Sequence, residues 1–145
     1  MSTVVEPLNA DHLAPMQHAV PQAAPSPALA GDPSILGLPI FVAGSVALGL
    51  ALVGFVPAAA GGSAIPIILA ATGIGLIISA IWAAALGQTL VAGIFGLFAG
   101  FWLSYATLVL GLNHDWFKIP AADVSDSVAM FQITWAIVMA ALTLA

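Results

Sequence analysis

Charge is what this sequence has least of. Lys118 is its one basic residue beside six acids, and no Asp, Glu, Lys or Arg occurs between Asp32 and Asp115. A water-soluble domain does not keep so long a stretch free of formal charge, because its surface needs groups that water solvates well. The stretch is therefore expected to lie in lipid. With a net charge of −5 and no Arg at all, the chain lacks a basic footprint, so nucleic acid is excluded as a partner. Cysteine is absent as well, which removes disulfides, thiol chemistry and thiolate metal sites.

The same scarcity excludes several membrane chemistries. Intramembrane aspartyl proteolysis needs paired carboxylates within the spans, a retinal protein needs a lysine there, and bis-histidine haem ligation needs facing histidines. None is present: His12 and His18 precede the apolar run and His114 closes it. His114 and Asp115 are read as solvated interface polars rather than a metal site. No enzyme, cofactor or metal is expected.

What the chain does contain is apolar. It is 62% hydrophobic with a mean hydropathy of +1.16, which places it in the membrane class. Residues 1–31, with Pro7, Pro15, Pro21, Pro25 and Pro27, are expected to form a disordered Pro/Ala-rich tail, since they neither propagate a helix nor bury apolar area. The tail is not read as a secretory signal, because Met1 to Asp11 holds no basic residue and no apolar core follows directly. Asp32-Pro33 then reads as a helix start, Asp as the cap and Pro pre-set for the first turn.

Turn signals at Pro57, Gly61-Gly62-Ser63 and Gly87-Gln88-Thr89 divide residues 32–145 into an all-α, polytopic transmembrane domain. Spans are predicted at about 35–56, 65–86, 90–112 and 128–145, the first three close to the ~20 residues a helix needs to cross a bilayer. Asn113 to Ser127 forms a polar loop. The fourth span is short and ends without a polar or aromatic marker, so the chain is expected to be truncated in mid-membrane. Lys118 alone would set its loop in the cytoplasm, a weak vote under a rule that counts basic residues.

Small residues recur every fourth position at Ala71, Gly75, Ser79, Ala83 and Gly87, and again at Ala92, Gly96, Gly100 and Ser104. Such stripes let helix backbones approach closely, although Gly and Ala are also simply common in membrane helices. Helix packing through Gly75, Ser79, Gly96 and Gly100 is expected. On the third span Phe95, Phe98, Phe101, Trp102 and Tyr105 fall on the opposite side from the small stripe. Lipid contact or core filling is the plainer account of such a face, and a pore constriction is the other. Periodicity does not choose between them.

Asp32-Pro33-Ser34-Ile35-Leu36-Gly37-Leu38 resembles the Asn-Pro-Ala-Pro-Leu-Gly-Leu signature that opens the first span of the acetate uptake transporters, the acetate–succinate permeases of bacteria and fungi. Phe95 to Ser104, ending in Phe101-Trp102-Leu103-Ser104, is similar to that family's third-span motif, in which a Tyr-Gly pair precedes Phe-Trp. The resemblance implies a six-helix protomer, of which four spans are visible here, in a ring-like homo-oligomer with a cytoplasmic N-terminus. It implies conduction of acetate or related small carboxylates across a multi-pass cell-membrane protein. It also implies a pathway mouth at Asp32, Pro33, Leu36 and Gly37 and an apolar constriction that includes Phe41 and Phe98. The sequence departs from the pattern at Asp32 for Asn, Ile35 for Pro, Phe98 for Tyr and Ala99 for Gly. Asp32 adds negative charge where an anion would arrive, and Phe98 lacks a hydroxyl donor.

The leading expectation is a transporter of acetate or a related acid, proton-linked or favouring the protonated form. The alternative is a non-transporting assembly subunit or a truncated, inactive transporter.

Overall fold

The structure, a computed structural model, describes residues 30–144. The tail reading for 1–31, with His12 and His18, lies outside the described residues apart from Ala30 and Gly31. Helix α1 spans Ser34–Leu52 and begins as its sequence dictates. Pro33 already has helical dihedrals (φ −58°, ψ −22°), and Asp32 Oδ1 accepts the Ser34 N–H at 2.9 Å. That carboxylate satisfies one of the donors a helix start leaves without an intrahelical partner.

α1 stops at Leu52 rather than running to Val56, and the cause is Gly54. Its φ of +79° sets a left-handed cap in which the Gly54 N–H bonds to Ala51 and the Phe55 N–H reaches back to Leu50 at 3.0 Å. The same motif recurs at Gly87, where the Gln88 N–H bonds to the Ala83 carbonyl at 2.9 Å. At the third helix the motif is made by Asp115, a residue type that tolerates φ > 0.

The second span is continuous from Ala59 to Ala85 and is built in three ladders. A 3₁₀ segment, Ala58–Ala64, leads through Ile65 and Pro66 into a π-helical segment, Ile67–Ile74, and then into α2, Gly75–Ala85. Pro66 supplies no N–H, and the ladder resumes beyond it with the wider spacing. Helix α3 covers Thr89–Asn113 and, after a 3₁₀ turn at Ala121–Asp123, α4 covers Val124–Leu144. The polar loop is thus shorter than predicted, with Asp126 in the first turn of α4, where an acid suits the helix dipole.

Among the described residues the chain is all-α, with four helices long and apolar enough to cross a membrane. Their faces are inverted relative to a soluble bundle: Ile35, Leu38, Val42 and Val46 of α1 are exposed, while the buried positions of α1 are Gly37 and Gly44. The second span lies antiparallel to α1 and to α3, so α1 and α3 run parallel and share its inner face. Ile40 covers Gly75, Gly44 abuts Thr72, and Leu103 covers Gly73. The core is Ile65, Ile68 and Leu76 of the second span against Phe95, Ala99, Trp102 and Ala106 of α3. α4 has no buried residue and meets α3 through aromatic rings, Phe101 with Trp135 at 5.4 Å and Tyr105 with Phe131 at 5.9 Å.

Candidate functional site

The two aromatics expected at the constriction meet. Phe41, on the eighth residue of α1, and Phe98, on the tenth of α3, have ring centroids 4.7 Å apart in an edge-to-face arrangement of 63°. Such a geometry sets the positive ring edge against the negative face and adds about 0.5–1.5 kcal/mol to the contact. Trp102, one turn beyond Phe98 on the same face of α3, lies 6.2 Å from Phe41. The aromatic face of the third span therefore points inward at Phe95, Phe98 and Trp102, whereas Phe101 and Tyr105 turn toward α4.

The expected mouth residues divide. Asp32 is exposed and caps α1, Leu36 is half-buried, and Pro33 and Gly37 are buried. The Phe95 ring sits where a Gly37 Cβ would be, so this glycine sets the distance between α1 and α3. Ser104 is exposed, and its hydroxyl donates back to the Gly100 carbonyl at 2.6 Å, away from the Phe41 and Phe98 rings. Gly75 and Ser79 are buried with Ala83 as a packing stripe, while Ala71 and Gly87 are exposed. Gly96 and Gly100 are exposed too: a Cβ on Gly96 would meet only Ala80 at 3.9 Å, and one on Gly100 would meet Trp135 at 3.5 Å.

Sequence reasoning passed over Thr72. It is fully buried, and its hydroxyl donates to the Ile40 carbonyl at 3.1 Å, tying the π-helical segment to α1 beside Phe41. A threonine at the centre of an apolar span was the available signal. Thr72→Val keeps the shape and removes the donor. It is expected to cost about 0.6 kcal/mol, the usual worth of one interhelical hydrogen bond in a membrane. Reversible unfolding in mixed detergent micelles reads that change.

Further along α3 from the Phe41–Phe98 contact, toward Asn113, lies an open cavity of about 310 Å³ bordered by Leu48, Ala51, Gly61, Ile68, Tyr105 and Asn113. A neighbour of about 320 Å³ between α3 and α4 shares Leu48, Leu52 and Tyr105 with it. Phe98, Trp102 and Tyr105 follow one another down α3, and Tyr105 borders both cavities. Trp102 is 3% exposed, and its Nε1 has no hydrogen-bond partner among the described residues. Leaving such a donor unpaired costs about 1–3 kcal/mol.

The loop before α4 holds an ion pair and a histidine. Lys118 pairs with Asp115 at 2.9 Å, and His114 Nδ1 lies 3.0 Å from the Leu110 carbonyl. Both members of the ion pair are exposed, so the pair adds at most about 1 kcal/mol.

The bundle carries no Asp, Glu, Lys or Arg between Asp32 and Asp115, and paired aromatic rings on α1 and α3 pack against its apolar core. In the family comparison, the model of the GPR1/FUN34/yaaH family matches residues 16–145. The chain belongs to that family. The GPR1/FUN34/yaaH proteins are the acetate uptake transporters, so the resemblance read from Asp32-Pro33 and Phe101-Trp102 holds over nearly the whole chain. It is a transporter family rather than an enzyme family, and its members are membrane proteins that move small molecules. Comparison with curated proteins and with solved structures gave no match.

Proposed function

We propose that this GPR1/FUN34/yaaH protein conducts acetate and related small carboxylates across the cell membrane, in the protonated or nearly dehydrated form, through the constriction at Phe41 and Phe98. The observation that carries the reading is the 4.7 Å approach of those two rings in a bundle whose first three spans hold no Asp, Glu, Lys, Arg or His. An unpaired carboxylate in such surroundings costs several kcal/mol, whereas the neutral acid avoids most of that penalty. Asp32 at the mouth favours the same species, since its charge repels an arriving anion.

The expected pH dependence follows from the substrate. A carboxyl group titrates near pH 4, so above that value the neutral fraction falls about tenfold for each pH unit. Acetate uptake into proteoliposomes should therefore be about a hundredfold lower at pH 7 than at pH 5 at equal total acetate. Labelled acetate, with protein-free liposomes subtracted, measures it. No uptake above that background at any acid pH overturns the proposal, and uptake that does not vary with pH overturns the protonated form.

Assembly into a homo-oligomer completes the reading. The exposed stripe of Gly96, Gly100 and Ser104 and the absence of buried residues on α4 leave faces on which further helices can pack.

A further inference from the structure

Trp102 carries a polar group that the packing of the bundle does not use. Its side chain is 3% exposed, yet its Nε1–H has no hydrogen-bond partner among the described residues. Buried side-chain donors are nearly always paired, and buried tryptophans in particular place the indole N–H against an acceptor. The bilayer interior offers no water to take that role at no cost. Its ring neighbours are Phe41 at 6.2 Å and Phe101 at 5.0 Å, neither of which carries a strong acceptor.

The position of this donor matters. Phe98 stands one turn before it on α3 and Tyr105, which borders the cavity with Asn113, one turn after, so along the helix Trp102 falls between the two rings and the cavity's edge. Phe98 itself offers no hydroxyl. A carboxylic acid leaving the two phenyl rings has two acceptor oxygens and no partner for them until it reaches a donor.

We infer that the indole N–H of Trp102 is the hydrogen-bond donor that receives a small carboxylate or carboxylic acid as it passes the Phe41 and Phe98 rings. The inference rests on the transport reading above and names the polar contact within that pathway. Trp102 is thus a specificity residue: it rewards a solute with an acceptor oxygen and does nothing for an apolar solute of equal size. No covalent step is involved.

The test uses the full chain in nanodiscs, with tryptophan labelled by ¹⁵N at the indole nitrogen. Trp102→Phe assigns the resonance among the four tryptophans. Titration of the unsubstituted protein with acetate is expected to move the Trp102 N–H signal downfield to saturation, while chloride at equal ionic strength leaves it in place. In proteoliposomes, Trp102→Phe is expected to raise the apparent KM for acetate about tenfold with less effect on the maximal rate. Replacing the indole N–H with sulfur, by incorporation of benzothienylalanine at 102, keeps the ring and should reproduce that change if Trp102→Phe folds poorly. A Trp102 signal that stays fixed while the same protein takes up acetate overturns the inference and leaves the transport reading intact. A signal already downfield without acetate and indifferent to it shows a structural partner, and also overturns it. Saturation of the signal in a protein that moves no acetate supports the donor while removing the transport reading.

Discussion

Gly44→Val is expected to reduce the ratio of folded to unfolded protein in detergent by about a hundredfold, a cost near 3 kcal/mol at the upper end of overpacking effects. A Cβ at Gly44 would lie 2.5 Å from Thr72 Oγ1 and 2.7 Å from its Cγ2. Thr72 cannot retreat, because it is fully buried and held by its bond to the Ile40 carbonyl. The helices must separate instead, and in lipid they have no hydrophobic drive to offset the lost contact. Gly49, five residues further along the same helix, meets nothing within 4 Å. Gly49→Val is therefore expected to change stability by no more than about 0.5 kcal/mol. Equal losses for both variants in an unfolding titration would show that α1 is not held against the second span as described.

Phe41→Ala and Phe98→Ala test the constriction. Each removes one of two rings in edge-to-face contact. A methylene is worth about 10- to 200-fold in the discrimination a tight site achieves, so the preference for acetate over butyrate is expected to fall at least about tenfold. Competition between the two labelled acids in proteoliposomes measures that ratio directly. Gly96→Leu is the contrast. A Cβ at that position would meet only Ala80, at 3.9 Å, so selectivity should stay while association between copies, read by sedimentation in detergent, is lost. If all three variants behave alike, as losses of expression, the rings have no special part in selection.

Much of the architecture was legible in the residues. The charge-free run, Asp32-Pro33 and the glycine at 87 act locally, and local effects can be read along a chain. Insertion into lipid depends on the summed transfer of consecutive residues, and caps depend on one or two dihedrals. The span ends were less legible, since Pro57 and the Gly61-Gly62 pair suggested one break and the chain makes its break at Gly54 instead. Nothing in the apolar composition announced the π-helical ladder at Ile67–Ile74, which depends on Pro66 and on what Thr72 can reach across the bundle.

The site was legible only by resemblance. Phe41 and Phe98 were named together because a family pattern places them so, and Thr72 and Trp102 gained their significance from neighbours on other helices. In a soluble helix the buried face betrays itself by polarity, but here Ile35 and Val42 face outward and Ile68 and Leu76 face inward with the same chemistry. By itself the sequence determined that the protein is a helical membrane protein of the acetate uptake type, because lipid reads composition and motifs read order. Which side of each span turns inward, which glycines bear a neighbour's weight and which donor is left without a partner were decided by tertiary packing. In a medium as apolar as the side chains themselves, only shape and hydrogen bonding distinguish one face from another.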